Sequence, residues 1–222
     1  MKPKLTIYIA GDSTAANYVP DHAPMQGWGA KLHLFLPSSI RIVNAATNGR
    51  SSKSFIDEGR LDSILNGIQP GDFLLAQFGH NDSKEDVERH TSPWDTYPKY
   101  LLRYIDGARG KGATPVLISP LCRRHFDCDG LLINTHGDYP RSVEALSARE
   151  KVPFIDLNGR SATAFKEMGE AQSRNWLTWL KPGEHLNYPE GIEDNTHLNE
   201  HGADAVAKIV AEALIKHYPH FG

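Results

Sequence analysis

The sequence predicts an α/β protein, a three-layer sandwich in which a five-stranded, mostly parallel sheet lies between helices. Three observations lead to this prediction: short apolar runs recur along the chain, amphipathic segments separate them, and no Pro/Gly-rich linker divides the 222 residues. Short apolar runs are typical of buried parallel strands, and strands that alternate with helices are typical of βαβ units. The length also suits one α/β domain, so we expect residues 1–222 to form a single domain.

The predicted elements alternate along the chain. Strands are expected over 5–10, 40–45, 73–78, 115–119 and 153–157. Helices are expected over 28–36, 54–67, 97–111, 140–151, 161–169 and 200–217. The last helix is the clearest, because apolar residues recur in it at three- and four-residue steps. The segments 120–139 and 170–196 are expected to be long loops that wall the ligand crevice.

Composition limits the classes of function. The chain has 24 lysine and arginine residues against 27 aspartate and glutamate residues, a net charge of −3. It therefore has no excess basic charge to gather nucleic acid or anionic lipid, and neither is expected as a partner. No apolar run is long enough for a membrane span. Residues 1–4 lead directly into a strand, so a cytoplasmic location is expected unless a leader has been removed.

Neither a disulfide nor a metal site is favoured by the sequence. The two cysteines, Cys122 and Cys128, stand in a loop-like stretch of a chain long enough to build a full core. Free thiols are the better interpretation there, although bridging stays open. A zinc site made of His185, His197 and His201 is disfavoured because the helical spacing of a zinc protease is absent.

Residues with the chemistry of nucleophilic catalysis follow the first strand and precede the last helix. Ser13 comes directly after the first strand, at the edge where open α/β sheets bind ligands. A serine nucleophile needs a general base and a group that orients that base. Asp194 and His197 are three residues apart, so one loop can supply both. Taken alone, Ser13 is more typical of a turn or a helix cap, Asp194 is compatible with a cap of the last helix, and His197 with a surface position. Only their combination favours catalysis.

Acyl transfer also needs hydrogen-bond donors for the negative oxygen that develops in the transition state. The backbone amide of Ser13 is one candidate donor. The amide of Gly49, after the second strand, is another, because a glycine lets a substrate approach closely. Asn81, after the third strand, offers a side-chain amide, and the adjacent Asp82 is expected to fix its orientation.

Together these motifs resemble the SGNH (GDSL) hydrolase superfamily. The motifs are Gly-Asp-Ser at 11–13, Gly49, Gly-x-Asn-Asp at 79–82 and Asp-x-x-His at 194–197, in that order over nearly the entire chain. The resemblance implies a flavodoxin-like SGNH hydrolase fold and an esterase without metal or cofactor. It further implies that Ser13 is the nucleophile, His197 the general acid and base, and Asp194 its orienting carboxylate. By the same resemblance, the oxyanion hole consists of Ser13, Gly49 and Asn81.

Within that superfamily, the longer stretches at 49–60, 71–82 and 194–197 resemble rhamnogalacturonan acetylesterases. The resemblance implies a carbohydrate substrate, an acetylated rhamnogalacturonan oligosaccharide derived from pectin. Acetylated xylan, a lysophospholipid and an acyl thioester stay open as other substrates, as does a catalytically silent carbohydrate-binding protein. The oligomeric state is left open too.

Four side chains are candidates for contact with a sugar. Arg50 is suited to pair with a sugar carboxylate, although pairing at the protein surface explains it equally well. Trp94, Trp176 and Trp179 are suited to stack on sugar rings, and packing beneath a long loop is an equally good explanation for each.

Overall fold

The computed structural model describes residues 5–222; the predictions for residues 1–4 lie outside the described part of the chain. The main strands are β1 Leu5–Gly11, β2 Ile40–Asn44, β3 Phe73–Gln77, β4 Thr114–Ile118 and β5 Phe154–Ile155. They form one sheet in the order β2-β1-β3-β4-β5, and each neighbouring pair is parallel. This is the flavodoxin-like order, in which the ligand crevice opens where β1 and β3 lie side by side. The predicted α/β fold is therefore confirmed.

Helices cover both faces of this sheet. They are α1 Trp28–Lys31, α2 Ser52–Asp57, α3 Arg60–Gly67, α4 Thr96–Gly110, α5 Tyr139–Glu150, α6 Leu157–Ser173 and α7 Glu200–His217. Alternate residues of β3 point into two separate cores. Phe73 and Leu75 pack with α1 and α7, whereas Leu74 and Ala76 pack with α2, α3, α4 and α5. The sheet is therefore covered on both sides, which explains why its central strands are mostly apolar.

Three predicted helices differ from the structure by more than one residue at an end or by a break. The helix predicted over 54–67 is divided into α2 and α3 by Gly59, whose φ of 72° lies in the left-handed region that favours glycine. The helix predicted over 28–36 ends as an α-helix at Lys31 and continues as the 3₁₀ turn Leu32–Leu34. The helix predicted over 161–169 runs from Leu157 to Ser173, with a break at Gly169, where φ is 69°.

The late segment predicted as a loop over 170–196 is mostly regular structure, so that prediction was wrong. Strands β6 Leu177–Leu180 and β7 Ile192–Leu198 pair in antiparallel fashion and form a second sheet of two strands. The sequence Ile-Glu-Asp-Asn-Thr-His-Leu of β7 lacks the alternation of polar and apolar residues that identifies a half-buried strand. By contrast, most of the segment predicted as a loop over 120–139 lacks helices and strands.

Gly202 allows α7 to begin directly against the 3₁₀ turn Arg174–Trp176, which leads into the β6–β7 hairpin. The Asn199 side chain caps α7 by accepting a hydrogen bond of 2.9 Å from the Gly202 N–H. A Cβ atom on Gly202 would lie 1.9 Å from the carbonyl oxygen of Trp176. Because that oxygen belongs to the backbone, a change of side-chain rotamer does not relieve the overlap.

We expect Gly202→Ala to lower the free energy of unfolding by about 1–3 kcal/mol or more, because the helix must move away from the 3₁₀ turn. Denaturant titration measures the change. Gly110→Ala is the matched control, since Gly110 is also helical and no described atom lies within 4 Å of its Cβ position. The control should be as stable as the native protein or slightly more stable, because alanine favours helix. Equal losses in the two variants would contradict the packing explanation.

Candidate active site

Ser13 lies in the turn that follows β1, at the sheet edge where β1 and β3 lie side by side. The residue is only 7% exposed. A backbone hydrogen bond of 3.2 Å from Ala15 to Asp12 closes the turn. The Tyr18 hydroxyl donates to the Ser13 carbonyl oxygen at 3.1 Å. The turn therefore holds the serine backbone in one orientation while the hydroxyl faces the crevice, where it meets His197.

His197 lies between Ser13 and Asp194. Its Nε2 atom is 3.0 Å from Ser13 Oγ, and its Nδ1 atom is 2.7 Å from Asp194 Oδ2. An ionised carboxylate only accepts hydrogen bonds, so we assign the ring proton to Nδ1. Nε2 then has a free lone pair that accepts the serine proton. This arrangement can activate the hydroxyl as a nucleophile.

Asp194 and His197 lie in a bulge of the hairpin. Residues 194–197 of β7 stand opposite the single residue Thr178 of β6, so ordinary ladder pairing is interrupted. The Asp194 carboxylate closes the bulge, because Oδ1 accepts hydrogen bonds from the backbone N–H groups of Thr196 at 2.7 Å and His197 at 2.8 Å. The same side chain thus orders the backbone and orients the imidazole ring.

The Asp194 carboxylate is stabilised in its ionised form. Burial alone raises its pKa. The hydrogen bond and charge of His197, together with the backbone N–H groups of Thr196 and His197, outweigh that effect, so the pKa lies below its ordinary value. An ionised Asp194 is able to stabilise the imidazolium that forms when His197 takes up a proton.

The candidate oxyanion donors follow three neighbouring strands, β2, β1 and β3. Within residues 5–222, the N–H groups of Ser13 and Gly49 donate to no backbone carbonyl. Gly49 has a φ of 78°, which a residue with a side chain rarely adopts. The Asn81 amide donates one hydrogen to the Arg50 carbonyl oxygen at 3.1 Å, which ties the two loops together. Its second amide hydrogen is left over for a substrate.

Asp82 does not orient Asn81, contrary to the prediction. The buried Asp82 carboxylate instead accepts hydrogen bonds from the N–H and hydroxyl of Ser52, at the start of α2, and from the Thr91 hydroxyl at 3.0 Å. Asn81 Oδ1 lies 3.4 Å from Arg89 Nη1. The side chains of Asn81 and Asp82 therefore contact different residues, because the Asp82 side chain points into the protein.

Buried polar residues behind Ser13 support its turn, and one of them, Gln77, was not predicted from the sequence. Gln77, the last residue of β3, accepts a hydrogen bond of 2.9 Å from the Trp28 indole, and its amide nitrogen lies 3.4 Å from Asp12 Oδ2. His80 Nδ1 lies 3.2 Å from the same Asp12 oxygen. Burial raises the pKa of Asp12, but His80 and nearby hydrogen bonds bring it below its ordinary value. The available sequence signal was a polar Gln77 ending an apolar strand.

The candidate sugar-binding side chains lie in different surroundings. Arg50 pairs with Glu58 at 3.0 Å. Trp94 is 55% exposed, and its indole donates a hydrogen bond of 2.9 Å to Asp138, just before α5. Trp176 packs against the core on the α7 side of the sheet. Of these three side chains, Trp94 has the most accessible surface for a ligand.

Trp179 lies on β6 and lines a groove of about 870 Å³ beside the hairpin. The guanidinium groups of Arg174 and Arg124 lie over its ring, 4.4 and 5.2 Å from the ring centre. Its indole N–H donates to Asn195 Oδ1 at 3.2 Å. The ring therefore packs against two cations and contacts the bulge that carries Asp194 and His197.

The remaining predictions concern thiols, metals and membranes. Cys122 is buried and Cys128 is exposed, and both are free thiols. Within the described range, no group of three or more His, Cys, Asp and Glu side chains is placed to hold a metal ion. None of the helices formed by residues 5–222 is long and apolar enough to cross a membrane.

Comparison with known proteins agrees with this geometry. Residues 9–205 match the GDSL-like lipase/acylhydrolase family. The chain belongs to this family. This GDSL hydrolase is therefore a carboxylic ester hydrolase, as the resemblance implied.

Named relatives cover almost all of the GDSL hydrolase. It is 42% identical to the rhamnogalacturonan acetylesterase RhgT of Bacillus subtilis, over 96% of this chain and 91% of that protein. It is 44% identical to the probable rhamnogalacturonan acetylesterase YesY of the same organism, over 94% and 91% of the two chains. The crystal structure of YxiM from Bacillus subtilis superposes with a TM-score of 0.83 at 29% identity, over 98% of this chain and 58% of that one.

Asp82 should make the stability of the GDSL hydrolase depend on pH. Burial raises its pKa from 3.8 to about 7, against the opposing effect of the hydrogen bonds from Ser52 and Thr91. Folding therefore favours the protonated form. The contribution of this group to stability is complete below about pH 4 and is lost as the pH rises through about 7.

We expect Asp82→Asn to remove this loss. The free energy of unfolding of the variant, relative to the native protein, should rise between about pH 4 and 7 and then level off. Denaturant titrations over that pH range measure the difference. A constant difference between the two proteins at all pH values would show that folding leaves the pKa of Asp82 unchanged.

Proposed function

We propose that this GDSL hydrolase removes O-acetyl groups from carbohydrate through a serine acyl-enzyme, and that its substrate is an acetylated rhamnogalacturonan oligosaccharide. The mechanism rests on the hydrogen-bond chain from Ser13 through His197 to Asp194, with distances of 3.0 and 2.7 Å. The substrate rests on the identities of 42% and 44% to RhgT and YesY. We also propose that residues 1–222 form one hydrolase domain, a proposal supported by the family match over 9–205.

In the first step, Ser13 Oγ attacks the carbonyl carbon of the acetyl ester, and the serine proton passes to His197 Nε2. The carbonyl oxygen becomes negatively charged and accepts hydrogen bonds from the N–H groups of Ser13 and Gly49 and from the Asn81 amide. The bond from the acetyl carbon to the sugar oxygen then breaks. His197 gives its proton to that oxygen. The sugar leaves with a free hydroxyl, and the acetyl group remains on Ser13.

In the second step, water enters where the sugar was bound. His197 Nε2 takes a proton from this water, and the resulting hydroxide attacks the acetyl carbon. The bond to Ser13 Oγ breaks, the serine regains the proton from His197, and acetate leaves. Asp194 stays ionised throughout and stabilises the imidazolium that appears in both steps.

The surroundings of the site support a polar substrate. A cavity of about 310 Å³ beside the Gly49 loop is lined by side chains that include Asn17, Tyr18, Thr47 and Asn48. These side chains offer hydrogen bonds to sugar hydroxyls, whereas a lysophospholipid or a long-chain thioester needs an apolar channel for its acyl chain. We propose the accessible ring of Trp94 as a stacking surface for a sugar.

Acetate release from acetylated rhamnogalacturonan and xylan oligosaccharides tests the function directly. We expect faster release from rhamnogalacturonan, and we expect Ser13→Ala to lower kcat at least about 10³-fold because the nucleophile is lost. Ser63→Ala, on the outer surface of α3, is the matched control and should keep the native rate. Residual activity of Ser13→Ala near the native level would exclude Ser13 as the nucleophile, and faster release from xylan would change the proposed substrate.

The acyl group is tested in the same assay with nitrophenyl esters. We expect the acetyl ester to be hydrolysed faster than the octanoyl ester. The reverse order would favour a lipid substrate and contradict the acetylesterase proposal. A folded protein without activity on any of these esters would favour the silent carbohydrate-binding protein instead.

Asn81→Ala should lower kcat about 10²- to 10³-fold with little change in KM, because the oxyanion forms only during the reaction. Steady-state kinetics with a nitrophenyl acetate substrate measure both constants. Asn66→Ala, at an exposed position of α3, is the control and should leave both unchanged. A higher KM with unchanged kcat would assign Asn81 to ground-state binding and not to the oxyanion hole.

A further inference from the structure

Arg124 is a buried cation that lies behind the catalytic bulge. It is 3% exposed and belongs to the 120–139 segment, away from every motif identified in the sequence. Its guanidinium donates from Nη1 to Asn195 Oδ1 at 2.6 Å and from Nε to Ser173 Oγ at 2.9 Å. Nη2 donates to the carbonyl oxygen of Glu170. Each of the three guanidinium nitrogens therefore has an acceptor.

The residue that Arg124 holds, Asn195, stands directly beside Asp194 in the bulge. The Arg124 backbone N–H also donates to the Asn195 carbonyl oxygen at 2.9 Å, so both oxygens of Asn195 are bound by one residue. The Trp179 indole makes a further hydrogen bond to Asn195 Oδ1, at 3.2 Å. Arg124 and Trp179 therefore hold the bulge from its rear, on the side of Asn195.

This support matters because the bulge has little other backbone pairing. On β6, the Thr178 hydroxyl lies 3.2 Å from the His197 carbonyl oxygen, and the regular ladder resumes only at Leu198. Catalytic side chains must be held within about 0.5 Å of their working positions, which an unpaired segment does not achieve alone. A guanidinium buried among fixed acceptors is a rigid support for such a segment.

Ion pairing does not account for the burial of Arg124. Its nearest carboxylate oxygen belongs to the half-exposed Glu170 and lies 3.6 Å away. Burial accordingly lowers the pKa of the Arg124 guanidinium. The energetic cost of burying this cation is offset mainly by hydrogen bonds, one of which, at 2.6 Å, reaches Asn195 in the bulge.

We propose that Arg124 is a positioning residue for the Asp194–His197 pair and acts on it through Asn195. This inference rests on the proposed function, in which His197 is the general base for Ser13. It assigns to the 120–139 segment a supporting role in catalysis in addition to a place in the crevice wall.

Four variants test the proposal with a nitrophenyl acetate substrate. Arg124→Met and Asn195→Ala should each lower kcat about 10- to 100-fold with little change in KM, because the base is displaced rather than the substrate. Arg124→Lys should restore part of kcat, since an ammonium group still reaches one acceptor.

Arg174→Met is the matched control. Arg174 also lies 4.4 Å over the Trp179 ring and 3.4 Å from Glu170, yet it makes no hydrogen bond to Asn195 in the described structure. It should keep the native kcat.

The proton resonance of the His197 Nδ1–H group separates positioning from general stability. In the native protein and in Arg174→Met, its hydrogen bond to Asp194 should give a sharp downfield signal. In Asn195→Ala, this signal should broaden or shift while circular dichroism stays native. Asn195 is only partly buried, so this variant decides the question even if Arg124→Met does not fold.

Two results would overturn the positioning role: a folded Asn195→Ala with native kcat and an unchanged resonance, or an equal loss of kcat in Arg174→Met. A different result would contradict the proposed function: activity that persists in Ser13→Ala, whatever the kcat of the Arg124 variants. If Ser13→Ala is inactive and Asn195→Ala is fully active, only the positioning role fails.

Discussion

The Asp194 carboxylate is the interaction on which the rest of the site depends. It binds the backbone N–H groups of Thr196 and His197 and the imidazole of His197. One ionised group thereby folds residues 194–197 into a compact bulge and turns the ring toward Ser13. The parallel sheet fixes the position of Ser13, which follows β1, an interior strand that pairs with β2 and β3. The β6–β7 hairpin carries Asp194 and His197, and Arg124 binds Asn195 between them.

The main sheet and the last helix were predictable because the packing of apolar side chains determines their sequence patterns. Strands covered on both faces are mostly apolar, and α7 presents one apolar stripe to the sheet. β7 was missed because polar residues of the proposed site, Asp194 and His197, interrupt it, so no alternation appears. The division between α2 and α3 was also missed. It depends on the left-handed backbone of Gly59, and a glycine is compatible with both a helix and a turn.

In the site, position along the chain was enough to find residues that stand at the ends of elements. Ser13 follows β1 and Asn81 follows β3, so the edge of the sheet brings them near one another. Contacts within irregular segments were not predictable in this way. Asp82 turns toward Ser52 and Thr91, and Arg124 reaches Asn195, which is 71 residues away. Spacing in a sequence does not indicate where a loop side chain points.

Ser13 and His197 are 184 residues apart and are joined by a single hydrogen bond. During synthesis, the serine leaves the ribosome long before its partner has been made. In the proposed mechanism, the unfinished chain thus has a nucleophile without its general base. Ester hydrolysis by that mechanism begins only when both distant segments have docked, so the onset of turnover marks completion of the fold.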